Sequence, residues 1–73
     1  MNLNATQIKI LEVLSSGKTA KQTMLDLNLS KSEYYKLFNN CKIQLNAKNK
    51  IETLLKAITL QIIDKNSCKK EIN

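Results

Sequence analysis

The sequence predicts an all-α domain of four helices, and three observations carry that expectation. Over 73 residues there is no Pro and one Gly, so neither breaker residues nor turn-rich β-patterning interrupts the chain. Ser, Thr or Asn stands three residues ahead of Glu or Gln at four places, the pattern that pairs the free N–H groups of a helix start. Each such pair opens an apolar stripe at helical spacing.

The first pair, Asn4 and Gln7, precedes Ile8, Leu11 and Leu14, and Ser15-Ser16-Gly17 closes the stripe. A helix near 5–15 follows. Thr19 and Gln22 precede Thr23, Met24 and Leu27, which gives a second helix near 20–27. Ser30 and Glu33 precede Tyr34, Phe38, Cys41 and Leu45, which gives a third near 31–45, with Asn46 where a left-handed cap is wanted. Asn49 and Glu52 precede Leu54, Ala57 and Ile58, which gives a fourth near 50–64. Only Asn28 and Leu29 separate the second helix from the Ser30 cap, and so short a joint forces the sharp angle of a helix-turn-helix. The domain is expected over 1–64, with 65–73 a flexible basic tail.

Composition narrows the function classes. Twelve basic residues, all lysine, oppose six acidic ones, a net charge of +6 that favours an anionic partner. The excess is central. Residues 18 to 50 hold Lys18, Lys21, Lys31, Lys36, Lys42, Lys48 and Lys50 against Asp26 and Glu33. No apolar run is long enough for a membrane span and the first residues do not read as a signal peptide, so a cytoplasmic protein without a membrane partner is expected. Histidine is absent and there are two cysteines, so no four-ligand metal set forms within one chain. No nucleophile–base set and no glycine-rich phosphate loop can be named, so neither an enzyme nor a cofactor is expected. Cys41 lies on the core stripe of the third helix and is expected to be a buried thiol, whereas Cys68, in the tail, should be accessible.

The run from Leu3 to Ile63 resembles the LuxR/GerE-type DNA-binding domain. Leu3-Asn4, Ile10-Leu11 and Leu14 look like its opening Leu-Thr and Val-Leu positions. Gly17, Thr19, Lys21 and Leu27 fall on its Gly-x-Ser/Thr-x-Lys and Leu positions, and Leu29-Ser30 on its Ile/Leu-Ser turn. Leu45-Asn46-Ala47 stands for Leu-Gly-Val, and Asn49-Lys50 for the Ser/Asn-Arg ahead of the last helix. The sequence departs from the family at Thr6-Gln7, Lys9, Glu33-Tyr34, Leu37 and Gln44. The resemblance implies a third helix that enters the major groove of double-stranded DNA and a fourth that makes a dimer. It also places Lys21 against a phosphate, near the Thr19 hydroxyl.

The candidate DNA-binding residues are Thr19, Lys21, Ser30, Lys31, Ser32, Tyr35, Lys36, Asn39 and Lys42. Those of the third helix lie opposite its core stripe, a row of hydrogen-bond donors with one aromatic that suits phosphate and base-edge contact. The chain has no arginine, so Asn39 to adenine, Lys31 or Lys36 to guanine or phosphate, and Tyr35 to a thymine methyl or phosphate are the pairings open to it. On the fourth helix, Ile51, Leu55, Ile58 and Ile62 form one stripe, with Leu54, Ala57 and Leu60 to one side. The side group is expected to pack inward and leave the stripe, centred on Ile58, for a twofold-related copy. The expected function is thus a stand-alone, homodimeric, sequence-preferring transcription regulator with no sensor domain. The alternative is a module of the same fold that binds and inhibits a LuxR-type regulator or another protein partner.

Overall fold

The computed structural model describes residues 3–63. These form four helices, α1 (Ala5–Ser15), α2 (Ala20–Leu27), α3 (Lys31–Leu45) and α4 (Lys50–Thr59), with no strand among the described residues. No helix there is long and apolar enough to cross a membrane. Cys68 and residues 65–73 lie outside the described part, as does Asp64.

The starts follow from the sequence pairs. Asn4, Thr19 and Ser30 each accept the N–H of the residue three further on, and Gln7, Gln22 and Glu33 return a side-chain oxygen to the cap's own N–H. The fourth pair is only half of that arrangement. Asn49 accepts from Glu52 N–H at 2.8 Å, but the Glu52 carboxylate takes the Lys48 N–H at 2.6 Å, one residue before the cap.

The ends follow from left-handed residues. Asn28 (φ 56°) and Asn46 (φ 55°) turn the chain out of α2 and α3, a conformation that the short amide side chain tolerates. The Leu29 N–H then reaches back to Met24 O and the Ala47 N–H to Lys42 O, both at 2.9 Å. After α1 the same work falls to Gly17, at φ 101°.

The expected reach of α4 to residue 64 is corrected: the helix ends at Thr59. Gln61 adopts φ 61°, its N–H bonds to Ile58 O at 3.0 Å, and the Ile62 N–H bonds to Ala57 O at 2.9 Å, which closes a Schellman turn. The reason lies in packing. At about 100° per residue a continued helix would carry Ile63 off the Thr53 and Ala57 side of α4 to its flank, in line with the half-buried Glu52 and Lys56. Breaking at Gln61 instead folds Ile63 into the core, where it is 3% exposed.

The core is one cluster. Ile10, Leu11 and Leu14 of α1, Tyr34, Phe38, Cys41 and Leu45 of α3, Ala57 of α4 and Ile63 make it up, with Met24 and Leu27 of α2 packed against it. Helix α1 is the central element, touching each of the other three. Its Gln7 is almost fully buried and does two jobs. The Gln7 Oε1 caps Asn4, while its Nε2 donates across to Leu37 O at 3.1 Å and Asn40 Oδ1 at 2.9 Å. The buried Thr23 and Thr53 hydroxyls donate to the carbonyls four residues back, Thr19 and Asn49, so neither is left unpaired. On the α4 side, Lys56 Nζ donates to Asn46 O at 2.7 Å, placing a cation at the negative end of α3.

Cys41 is buried, as its place on the α3 stripe requires, and burial pushes its thiol up to about 11 from the ordinary 9.0. Between those values the unfolded chain gives up a proton that the native state retains, so stability falls as pH rises through the window. Urea titrations of the wild type should therefore decline more steeply between about pH 9 and pH 11 than those of Cys41→Ala. Parallel declines would mean that the thiol is reached by solvent in the native state.

Candidate nucleic-acid interface

Helix α3 turns Tyr34, Phe38, Cys41 and Leu45 into the core, and the opposite face is consequently outward. Ser32, Tyr35, Lys36 and Asn39 are exposed on it, as the sequence pattern requires, whereas Lys31, expected there too, is exposed in the first turn on the side of Tyr34 and Phe38, three and seven residues before them in the helical repeat. Lys42 is only half-buried at its edge, because its stem lies along the core and Nζ stands 6.0 Å from the centre of the Phe38 ring. Tyr35 is held by its neighbours: its ring meets that of Tyr34 edge-on at 5.1 Å, and Tyr34 stacks in turn on Phe38 at 5.9 Å. Tyr35 remains 44% exposed as a residue.

Glu33 is the one acidic residue of α3, and it is turned away from its own helix face toward the cap. Its carboxylate accepts the Ser30 N–H at 2.9 Å while Ser30 Oγ accepts the Glu33 N–H at 3.1 Å. These contacts hold the Glu33 pKa below the ordinary carboxylate range, with the backbone bond the larger cause. The negative charge is thus engaged in folding the turn.

Thr19 and Ser30 serve first as caps. The Thr19 Oγ1 accepts the Gln22 N–H at 3.1 Å, so both hydroxyls are committed within the domain through their acceptor side. Lys21 is exposed in the first turn of α2, on an element joined to α3 through Asn28, Leu29 and Ser30. Lys18, four residues before Gln22, is paired instead with Asp26 at 2.6 Å. That pair is solvated and adds little stability, yet it cancels the one acid of α2.

Sequence reasoning missed one residue of this face. Ile43 is 76% exposed, the most exposed of the large apolar side chains, and at about 100° per residue it lies between Asn39 and Lys36. The signal was in the sequence, because Ser32, Lys36, Asn39 and Ile43 recur at three- and four-residue steps.

Helix α4 departs from expectation at several positions. Ile51 and Leu55 are exposed, at 69% and 59%, but Ile58 and Ile62 pack against the core, so the outward stripe centred on Ile58 is corrected to one centred on Leu55. Ile62 leaves the stripe because the helix has ended before it. Of the three residues expected to pack inward, Ala57 is buried and Leu54 partly so, whereas Leu60 is 52% exposed at the turn. Thr53 takes the second inward position with Ala57. Leu55 stands between two shallow hollows, one lined by Asn49, Lys50, Ile51 and Glu52 and the other by Leu45, Lys56, Thr59 and Leu60. A projecting side chain flanked by hollows is the shape that a twofold copy can complement.

No family model, curated protein or solved structure matches this chain.

Proposed function

We propose that the protein is a double-stranded-DNA-binding transcription regulator with a LuxR/GerE-type helix-turn-helix, acting as a homodimer. The observation that carries this reading is the outer face of α3. It presents Ser32, Tyr35, Lys36 and Asn39 together, with Lys31 exposed at the helix start, and the helix's single acid is drawn back to the Ser30 cap. Donors and cations on a rigid helix, behind a joint of three residues, suit insertion into a major groove. The net charge of +6 supplies attraction to the backbone. In this reading Lys21, Lys31 and Lys42 engage phosphates, and Lys36, Asn39 and Tyr35 meet base edges.

Binding through lysines releases counterions, so affinity for duplex DNA should fall linearly on a log–log plot against salt. Lys36→Ala and Lys31→Ala should each weaken binding while the helical spectrum stays intact, because both side chains are exposed. The loss is about 1–3 kcal/mol where a base is contacted, with a salt slope smaller by about one where a phosphate is. Unchanged affinity in both variants would remove α3 from the interface.

A second reading is favoured by a different observation, the exposed Ile51, Leu55 and Leu60 of α4. There the same domain pairs through α4 with a LuxR-type regulator or another protein and inhibits it. The absence of salt-dependent DNA binding by the pure protein would favour this reading.

A further inference from the structure

The groups on the outer face of α3 define which base edges they can recognise. There is no arginine in the chain, which leaves Lys36, at the side of the face, as its guanine candidate, and the one acid of α3, which would accept from a cytosine amino group, is engaged at Ser30. What remains at the centre of the face is an amide, Asn39, and an aliphatic side chain, Ile43, flanked by Ser32 and Lys36. An exposed isoleucine amid lysines gains nothing from water. It gains from an apolar group on the opposing surface, and in a DNA major groove the one apolar group is the C5 methyl of thymine.

We propose that Asn39 and Ile43 together read A·T pairs in the major groove, Asn39 through the adenine N6 and N7 edge and Ile43 through a thymine methyl. This rests on the DNA-binding reading and specifies its sequence class. The two residues are four apart, so their Cα atoms are separated by about 6 Å along the helix axis. A separation of that size, whatever the angle of the helix in the groove, spans at most about two base-pair steps of ~3.4 Å, so the adenine and the methylated thymine lie within about two pairs of each other. The amide supplies both a donor and an acceptor, which adenine uniquely pairs with at N7 and N6. The isoleucine also discriminates between nucleic acids, because RNA carries uracil and its major groove does not admit a helix.

The test uses the full chain and duplexes selected by it from random double-stranded DNA. Each thymine of the selected duplex is replaced in turn by deoxyuridine, which removes one methyl and leaves the hydrogen-bonding edge intact. At one thymine, within two pairs of an adenine, the wild type should lose roughly fourfold in affinity, the worth of one methyl contact. Ile43→Ala should bind the original duplex as weakly as the wild type binds the demethylated one, and be indifferent to that substitution. Asn39→Ala should keep the methyl sensitivity and lose its preference for the adenine, by about tenfold. The exposure of both residues keeps these variants folded, which circular dichroism verifies. Duplex binding without any methyl-sensitive position, or methyl sensitivity that survives Ile43→Ala, overturns the A·T assignment while leaving DNA binding in place. A protein that binds no duplex even at low salt overturns both.

Discussion

Phe38→Ala should leave the domain largely unfolded at room temperature. Phe38 is buried at the centre of α3, stacked on Tyr34 at 5.9 Å with an interplanar angle of 4° and covered on its solvent side by Lys42. Truncating a buried phenylalanine costs about 3–5 kcal/mol, from lost transfer energy and the cavity left behind. A domain of this size, held by one core with no disulfide or metal cluster among the described residues, has a net stability of the same order, about 3–5 kcal/mol. The two nearly cancel. Thermal and urea unfolding followed by circular dichroism would read the effect directly, and the variant's DNA binding should vanish with its helices. A cooperative transition shifted by less than about 1 kcal/mol would show that the core closes over the gap or that α3 is not anchored through this ring.

The dependence on so few core side chains explains why the fold was largely legible in the sequence. Helix starts are local: Asn4, Thr19 and Ser30 act on residues three positions away, and the reciprocal bonds found are those that the residue types permit. The core face of α3 was legible for the same reason, since Tyr34, Phe38, Cys41 and Leu45 can share only one side of a helix. What was not legible depends on distant partners. Gln7 reads as an ordinary capping residue, and its bonds to Leu37 and Asn40 require α3 to arrive 30 and more positions later. Gln61 is a residue with no marked preference for the left-handed region, so nothing local announces the end of α4. The turn goes with the burial of Ile63, and that single tertiary event removes Ile62 from the outer stripe.

The same event decides how the candidate sites differ in legibility. On α3 the exposed row is the complement of an unambiguous core stripe, so Ser32, Tyr35, Lys36 and Asn39 fall where their spacing places them, while Lys31 shares the spacing of Phe38 and is exposed only because it stands in the first turn. On α4 nearly every position except the charged ones is apolar or small, and periodicity alone cannot say which side faces α1 and α3. Small side chains settle it: Thr53 and Ala57, fully buried, allow close approach of the helices. Larger ones at the margins, Leu54 and Ile58, fill the edges of the contact.

In the proposed DNA-binding homodimer, Leu55→Glu should abolish self-association and, with it, most of the DNA affinity. Leu55 is 59% exposed and separates two hollows, so in a symmetric contact it enters a hollow of the other copy while its own hollow receives the equivalent leucine. Glutamate there would desolvate two carboxylates in one patch, beside Glu52 of each copy, at a cost of several kcal/mol that Lys50 and Lys56 at the rims only partly offset. The monomer loses little, because the side chain faces water. Leu55→Glu is therefore a sharper probe than Ile58→Glu, since Ile58 packs against the core and its replacement would weaken folding along with pairing. Two half-sites bound as one event gain about 10²–10⁴ over either alone, so separation of the copies should lower operator affinity by that order. Sedimentation velocity of wild type and variant at matched concentration reads the association state, and titration of a two-half-site duplex reads the affinity. A wild type that sediments as a monomer at high concentration would take α4 out of the dimer. A folded Leu55→Glu variant that still pairs would move the contact to another surface, and full operator affinity in a monomeric variant would mean that one copy of α3 is enough to hold the DNA.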